Sequence, residues 1–144
     1  MKRRGVFFLK VNIVSMLYAL MIAIPIQLML NVYRISRLTE WTIDTVNIVS
    51  SVIIISGFIL CSVFLINLTK RWLSETKARY CNVILWLPYF VLFVYMTTSL
   101  FPITYQGDVP NTASGLMAIG ALAVFPFYIL LTSLVKKNEQ GWYV

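Results

Sequence analysis

The chain is 144 residues long, 60% hydrophobic and 12% charged, which leaves room for one domain carrying about half the charge of a soluble domain that size. Its net charge of +7 would suit nucleic acid, but the cations sit in short clusters beside apolar runs instead of covering a face. Histidine is absent, which removes the commonest metal ligand, the usual haem ligand and the usual general base together, so no cofactor and no metal site is expected.

Lys2, Arg3, Arg4 and Lys10, with Phe7 and Phe8 between them, form a basic and aromatic flank at a membrane face. Residues 11–33 then make a first apolar span, long enough to cross a hydrocarbon core of about 30 Å. A charged start before an apolar run also resembles a signal peptide, but this run is too long and no small-residue cleavage site closes it, so a retained helix is expected. Ser15, Ala19, Ala23, Gln27 and Asn31 recur every four residues as one small-and-polar ridge, a helix-packing surface in lipid. Pro25 within it frees the carbonyl of Met21 and predicts a kink.

Residues 34–45 form the first connector, where Arg34 and Arg37 are offset by Glu40 and Asp44. Ile35, Leu38 and Trp41 fall three apart, which predicts a short interfacial turn with Trp41 among headgroups. Arg37, Glu40, Trp41 and Asp44 are its candidate contact residues; the plainer reading is that the carboxylates balance the arginines. The second span, residues 46–68, is the most apolar. Asn47, Ser50, Ile54, Gly57, Cys61, Phe64 and Leu68 follow alternating steps of three and four, the pattern of a packing seam with small residues at its centre. Asn67-Leu68-Thr69 has the form of a glycosylation acceptor, but at the inner membrane edge no such transfer occurs.

The connector that follows holds Lys70, Arg71, Lys77 and Arg79 against Glu75 alone, a cluster expected to anchor on an anionic inner leaflet, each cation contributing about 1 kcal/mol. Residues 82–101 make an aromatic third span with Pro88 near its start. Gln106-Gly107-Asp108 reads as a turn in a loop without Lys or Arg. The fourth span, residues 114–135, opens with Gly115, Ala118, Gly120 and Ala121 and carries Pro126; its first half is expected to pack closely, with Gly115, Ala118 and Ala121 as contact residues. The tail ends in Trp142 and Tyr143, aromatics suited to the inner interface; its C-terminal Val144 also has the form that peptide-binding domains capture. Cys61 and Cys81 are too far apart along the chain's path through the membrane to form a bridge and are read as packing residues.

Ten of the twelve cations fall in the N-terminal flank, the central connector and the tail. Positive loops stay cytoplasmic, so the expected fold is an all-α polytopic membrane protein, one domain of four transmembrane helices with both termini in the cytoplasm. The four spans contain no Asp, Glu, Lys or Arg, which argues against proton-coupled export. Close Cys pairs, clustered metal ligands and a Gly-rich phosphate loop are also lacking. Glu40 and Asp44, four apart, are the one carboxylate pair with acid–base spacing, and an enzyme reading rests on them alone.

Laid end to end, several short features resemble one family. They are Met1-Lys2-Arg3 with Phe8-Leu9-Lys10-Val11, Pro25 in the first span, the inner basic connector, and Asp108-Val109-Pro110 followed by Gly115-Leu116. Together they look like the YoaS-like family of small four-helix bacterial membrane proteins. The connector is shorter than in that family, and Gln140-Gly141-Trp142-Tyr143-Val144 departs from its charged ending. Members resemble partners of small DNA-binding regulators, so the resemblance implies a regulatory role and transfers no catalytic residue.

The expected function is that of a non-catalytic accessory, regulatory or immunity protein in a bacterial plasma membrane, meeting another membrane protein or its own copies and no nucleic acid. The alternative is a subunit of an oligomeric channel or transporter for a small neutral or weakly charged solute. Ser15, Gln27 and Asn31, with Asn47 and Ser50, would then line the path.

Overall fold

The computed structural model describes residues 2–73 and 76–134, with only the backbone of residues 2, 3 and 76–79. It comprises α1 (Lys2–Leu30), α2 (Val32–Thr39), α3 (Ile43–Trp72), α4 (Thr76–Leu100), a 3-10 turn at Gln106–Asp108 and α5 (Thr112–Leu134). Four of these, all but α2, are long and apolar enough to cross a membrane.

The helices outrun the apolar spans. α1 begins at Lys2 rather than near residue 11, so the basic flank is helical, and α3 runs from Ile43 to Trp72 rather than 46–68. Hydropathy marks the apolar length of a helix, whereas its hydrogen-bond ladder continues through good helix formers such as Lys and Arg. α4 and α5 likewise start before their predicted spans, and residues 135–144, with Trp142 and Tyr143, lie outside the described residues. Pro25, Pro88 and Pro126 are all interior to continuous helices.

The first connector is more ordered than a turn. α1 and α2 are separated by Asn31 alone, and Asn31 N–H to Gln27 O and Ile35 N–H to Asn31 O carry the ladder through the break. α2 ends at Glu40, whose φ of 58° is left-handed. Thr42 then caps α3, its hydroxyl accepting the Thr45 N–H, and Asn111 caps α5 by accepting the Ser114 N–H at 2.7 Å.

α1 is the hub, packed against α4, α3 and α5, whereas α3 and α5 meet each other little. Of the apolar window of α1, 44% is buried, against 11% for α3 and α4 and 22% for α5. Val14, Tyr18, Ile22 and Ile26 of α1 meet Leu65 of α3, Trp86 and Phe90 of α4, and Phe125 and Ile129 of α5 in one core. Trp86 stands edge-on to Phe125 at 5.0 Å, and Phe125 stacks on Tyr128 at 5.7 Å. Each such pair contributes about 0.5–1.5 kcal/mol beyond its area.

Ser15, Ala19 and Ala23 of the α1 ridge are buried, with Gln27 and Asn31 half-buried above them. The α3 seam differs from the predicted one. α3 buries Val46, Ser50, Leu65 and Thr69, with Ile54, Phe58 and Ser62 half-buried, while Asn47, Cys61 and Phe64 are exposed. Steps of four exceed the 3.6 residues of a turn and steps averaging three and a half fall short of it, so the two lines wind round α3 in opposite senses; they share Ser50 and Ile54, and Gly57 and Leu68 of the predicted seam are also half-buried. In the first half of the fourth span, packing within the chain is confined to one side. Ala118 is buried and Ala121 half-buried, but a Cβ at Gly115, Gly120 or Gly57 would meet nothing within 4 Å. Cys61 and Cys81, read as packing residues, are exposed free thiols, small enough to lie against lipid without a partner in the core.

Candidate functional site

At one end of the bundle, α2 and the loop between α4 and α5 hold each other by charge. Arg37 grips Asp108 with both prongs, Nε to Oδ1 at 3.0 Å and Nη2 to Oδ2 at 2.7 Å. Arg34 Nε approaches the same carboxylate at 3.5 Å. Its two terminal nitrogens donate to the carbonyls of Phe101 and Pro102, at 3.0 and 2.9 Å, tying α2 to the chain leaving α4. The Arg37 guanidinium also lies 5.1 Å from the Tyr105 ring centre. Asp108 is 2% exposed, and its backbone N–H closes the turn on Tyr105 O.

Gly107 leaves room for the Tyr105 ring beside Arg37. A Cβ there would come within 2.5 Å of the Tyr105 ring and push that ring away from Arg37. The hydrogen bonds from Arg37 hold the Asp108 carboxyl below the usual carboxylate range against the opposing cost of desolvation, with Arg34 adding a smaller charge effect. The Asp108 bond in turn raises the Arg37 guanidinium above its ordinary value.

The four predicted contact residues of the first connector do not gather into one site. Arg37 is engaged by Asp108; Glu40 ends α2; Trp41 is half exposed, its carbonyl accepting from the Ser36 hydroxyl at 2.6 Å; Asp44 sits in the first turn of α3. Among the described residues the carboxylate that balances Arg34 and Arg37 is Asp108, not Glu40 or Asp44. Sequence reasoning placed Asp108 only in a turn. The available signal was a lone carboxylate in a loop free of cations, facing a connector with two arginines.

Two grooves flank α1 beneath the clasp. One, of about 360 Å³, lies between α3 and α5; Asn47, Ser50 and Ser51 face it from α3, and Asn111 and Ser114 from the start of α5. The other side, between α1 and α4, holds two adjoining hollows of about 300 and 350 Å³ that share Gln27, Asn31 and Thr97. There Asn31 Nδ2 donates to the backbone carbonyl of Gln27 at 2.8 Å and to its side-chain oxygen at 3.1 Å. The polar residues predicted to share one path therefore line separate grooves: Gln27 and Asn31 line one, Asn47 and Ser50 the other, and Ser15 is fully buried in the core.

Further from the clasp, neutral pairs join the helices. Ser15 donates to Asn82 at 2.8 Å, Tyr89 to Asn12 at 2.6 Å and Tyr128 to Ser62 at 2.6 Å, while the hydroxyls of Tyr18 and Thr132 are hydrogen-bonded to each other at 3.1 Å. Asn82 Nδ2 and Thr69 Oγ1 are buried without a hydrogen-bond partner among the described residues. At the opposite end from the clasp, Lys10 lies 5.8 Å from the Trp72 ring centre, beside half-buried Lys70 and exposed Arg71. The side chains of Lys77 and Arg79 lie outside the described residues. Among the described residues no three His, Cys, Asp or Glu side chains come together as a metal site would require. Comparison with family models, curated proteins and solved structures gives no match to this chain.

Proposed function

We propose that this chain is a non-catalytic accessory, regulatory or immunity component of a bacterial plasma membrane, acting by contact with another membrane protein. In this reading the basic end, with both termini, lies in the cytoplasm against anionic lipid, and the clasp end lies outside. The distribution of cations supports that orientation. A regulatory role also agrees with the resemblance to the YoaS-like family.

The observation that carries the proposal is the outward face of α3. Ile53, Leu60, Cys61 and Phe64 are exposed around Gly57, where a side chain would meet nothing within 4 Å. A glycine at a lipid-facing position lowers helix propensity without serving any contact in this chain. A partner helix would use the space, because close backbone approach drives helix association in lipid. Purification from native membrane in mild detergent, with co-purifying proteins identified by mass, tests this. The expected result is a stoichiometric second protein that is lost in Gly57→Leu. A chain that purifies alone or only with itself, unchanged by that substitution, sinks the proposal.

The alternative, an oligomeric channel or transporter for a small neutral or weakly charged solute, draws support from Gln27, Asn31 and Thr97 in the α1–α4 groove. It predicts solute flux in liposomes that Gln27→Leu abolishes while the helical content is unchanged.

A further inference from the structure

Several hydroxyls in these helices are satisfied within their own helix. Ser56, Ser62, Thr97 and Thr98 each turn back onto a carbonyl of their own helix, at 2.6 to 3.0 Å. That is how a side-chain hydroxyl is satisfied when lipid offers no partner. Asn47, Ser50 and Ser51, on one side of α3, make no hydrogen bond to any described residue, and all three face the groove toward α5.

The groove is graded along its length. α3 and α5 both start at the clasp end, so Asn47, Ser50 and Ser51 come before Ile54 on one wall, and Ser114 before Met117 on the other. Met29 lies at the deep side, below the break at Asn31. The rim is mixed, with Ile43, Val32 and Ala113 beside the polar Asn47, Ser50, Ser51 and Asn111, and the depth at Ile54, Met29 and Met117 is apolar. None of the side chains that line it is charged, and the nearby Arg34, Arg37 and Asp108 are engaged with one another. A space of about 360 Å³ falls in the range of small-molecule sites.

We propose that the α3–α5 groove binds a neutral amphiphile from the leaflet at the clasp end, with a hydroxyl- and ester-bearing head and a single flexible apolar chain. The head takes hydrogen bonds from Asn47, Ser50 and Ser51; the chain lies along Ile54 and Met117. This site is independent of the partner-contact face, which lies about a quarter turn round α3 and further along it.

The test is native mass spectrometry of the full chain in a bulky steroid-based detergent, titrated with monoolein, dodecyl phosphate or dodecane. Asn47 and Ser51 are exposed, so Asn47→Leu/Ser51→Leu leaves the core intact. Ser56→Leu on the same helix is the control, since Ser56 does not line the groove. The expected result is one monoolein per chain, bound at least tenfold more weakly by the double variant and unchanged in Ser56→Leu. Should the leucine variant not purify, Asn47→Ala/Ser51→Ala, which removes the polar groups and keeps the space, is read in the same way. Four outcomes overturn the proposal: no monoolein binding, equal binding by the double variant, equal affinity for dodecane, or preference for dodecyl phosphate.

Discussion

At the clasp end the chain is tied by full charges: Arg37 and Arg34 reach across more than sixty residues of sequence to Asp108 and to the carbonyls of Phe101 and Pro102. In the body of the bundle the same task falls to neutral groups, Ser15 on Asn82 and Tyr18 on Thr132, set among Trp86, Phe90 and Phe125. The division follows the cost of desolvation. A charge is expensive to hold at membrane depth and an amide or hydroxyl much less so. It also divides sensitivity: pH reaches the clasp, whereas the body responds to volume and hydrogen bonding.

The strongest way to break this division is to remove bulk from the body. Phe125→Ala deletes the ring between Trp86 and Tyr128, and the expected loss is about 3–5 kcal/mol, seen as the same drop in the midpoint of thermal unfolding in detergent at neutral pH and in strong acid. A pH-dependent loss would show that the clasp and the body are not separable. Ser15→Ala comes next, at about 1–2 kcal/mol, because interhelical hydrogen bonds in lipid are modest but Asn82 would then have neither amide atom paired. Denaturation in sodium dodecyl sulphate would measure it, and an unchanged midpoint would count against the Ser15–Asn82 bond as a tie.

Asp108→Asn is expected to act locally. Amide exchange over residues 34–38 and 105–109 should quicken roughly tenfold, while the helices of the body keep their protection. The same segments report pH in the wild type. Asp108 is held below its ordinary carboxylate value of about 3.9, so its contribution is complete above that value. It fades as pH falls through the depressed folded value. The clasp should therefore stay shut at neutral and mildly acidic pH, open only in stronger acid, and lose this dependence in Asp108→Asn. Protection that disappears already at pH 6 would contradict the assignment. The smallest effect belongs to Gly57→Ala, which fills open space and should stabilise the isolated chain by about 0.5–1 kcal/mol. A loss of stability there would reveal an internal contact at Gly57.

The helices could be read from hydropathy because apolar length is a local property, although each ladder runs past the apolar boundary at Lys2, Ile43 and Thr76. The α1 ridge was likewise visible, since one helix's periodicity is contained in its own residues. The seam of α3 was visible only in part, at Ser50, Ile54, Gly57 and Leu68, because the buried line of a helix also depends on the angle at which its neighbours cross it. The Asp108 clasp stayed hidden for another reason: Glu40 and Asp44 are close in sequence to the arginines, and only the folded chain brings a residue 71 positions away nearer than they are. The polar α3–α5 groove was half legible, with Asn47 and Ser50 noted as a seam but Ser51 and the start of α5 unconnected to them.

The central position of α1 bears on how the chain is assembled. Ser15 finds its partner 67 residues later and Tyr18 finds one 114 residues later, on the last helix described. α1 is synthesised before α4 and α5 and is completed only when they arrive. Until α4 and α5 arrive, a chain inserted in a membrane would hold two unpaired polar side chains on a helix surrounded by lipid. Nascent chains interrupted before α4 would display both continuously, and those interrupted before α5 would display Tyr18, a mark by which quality-control proteases could tell an unfinished copy from a finished one.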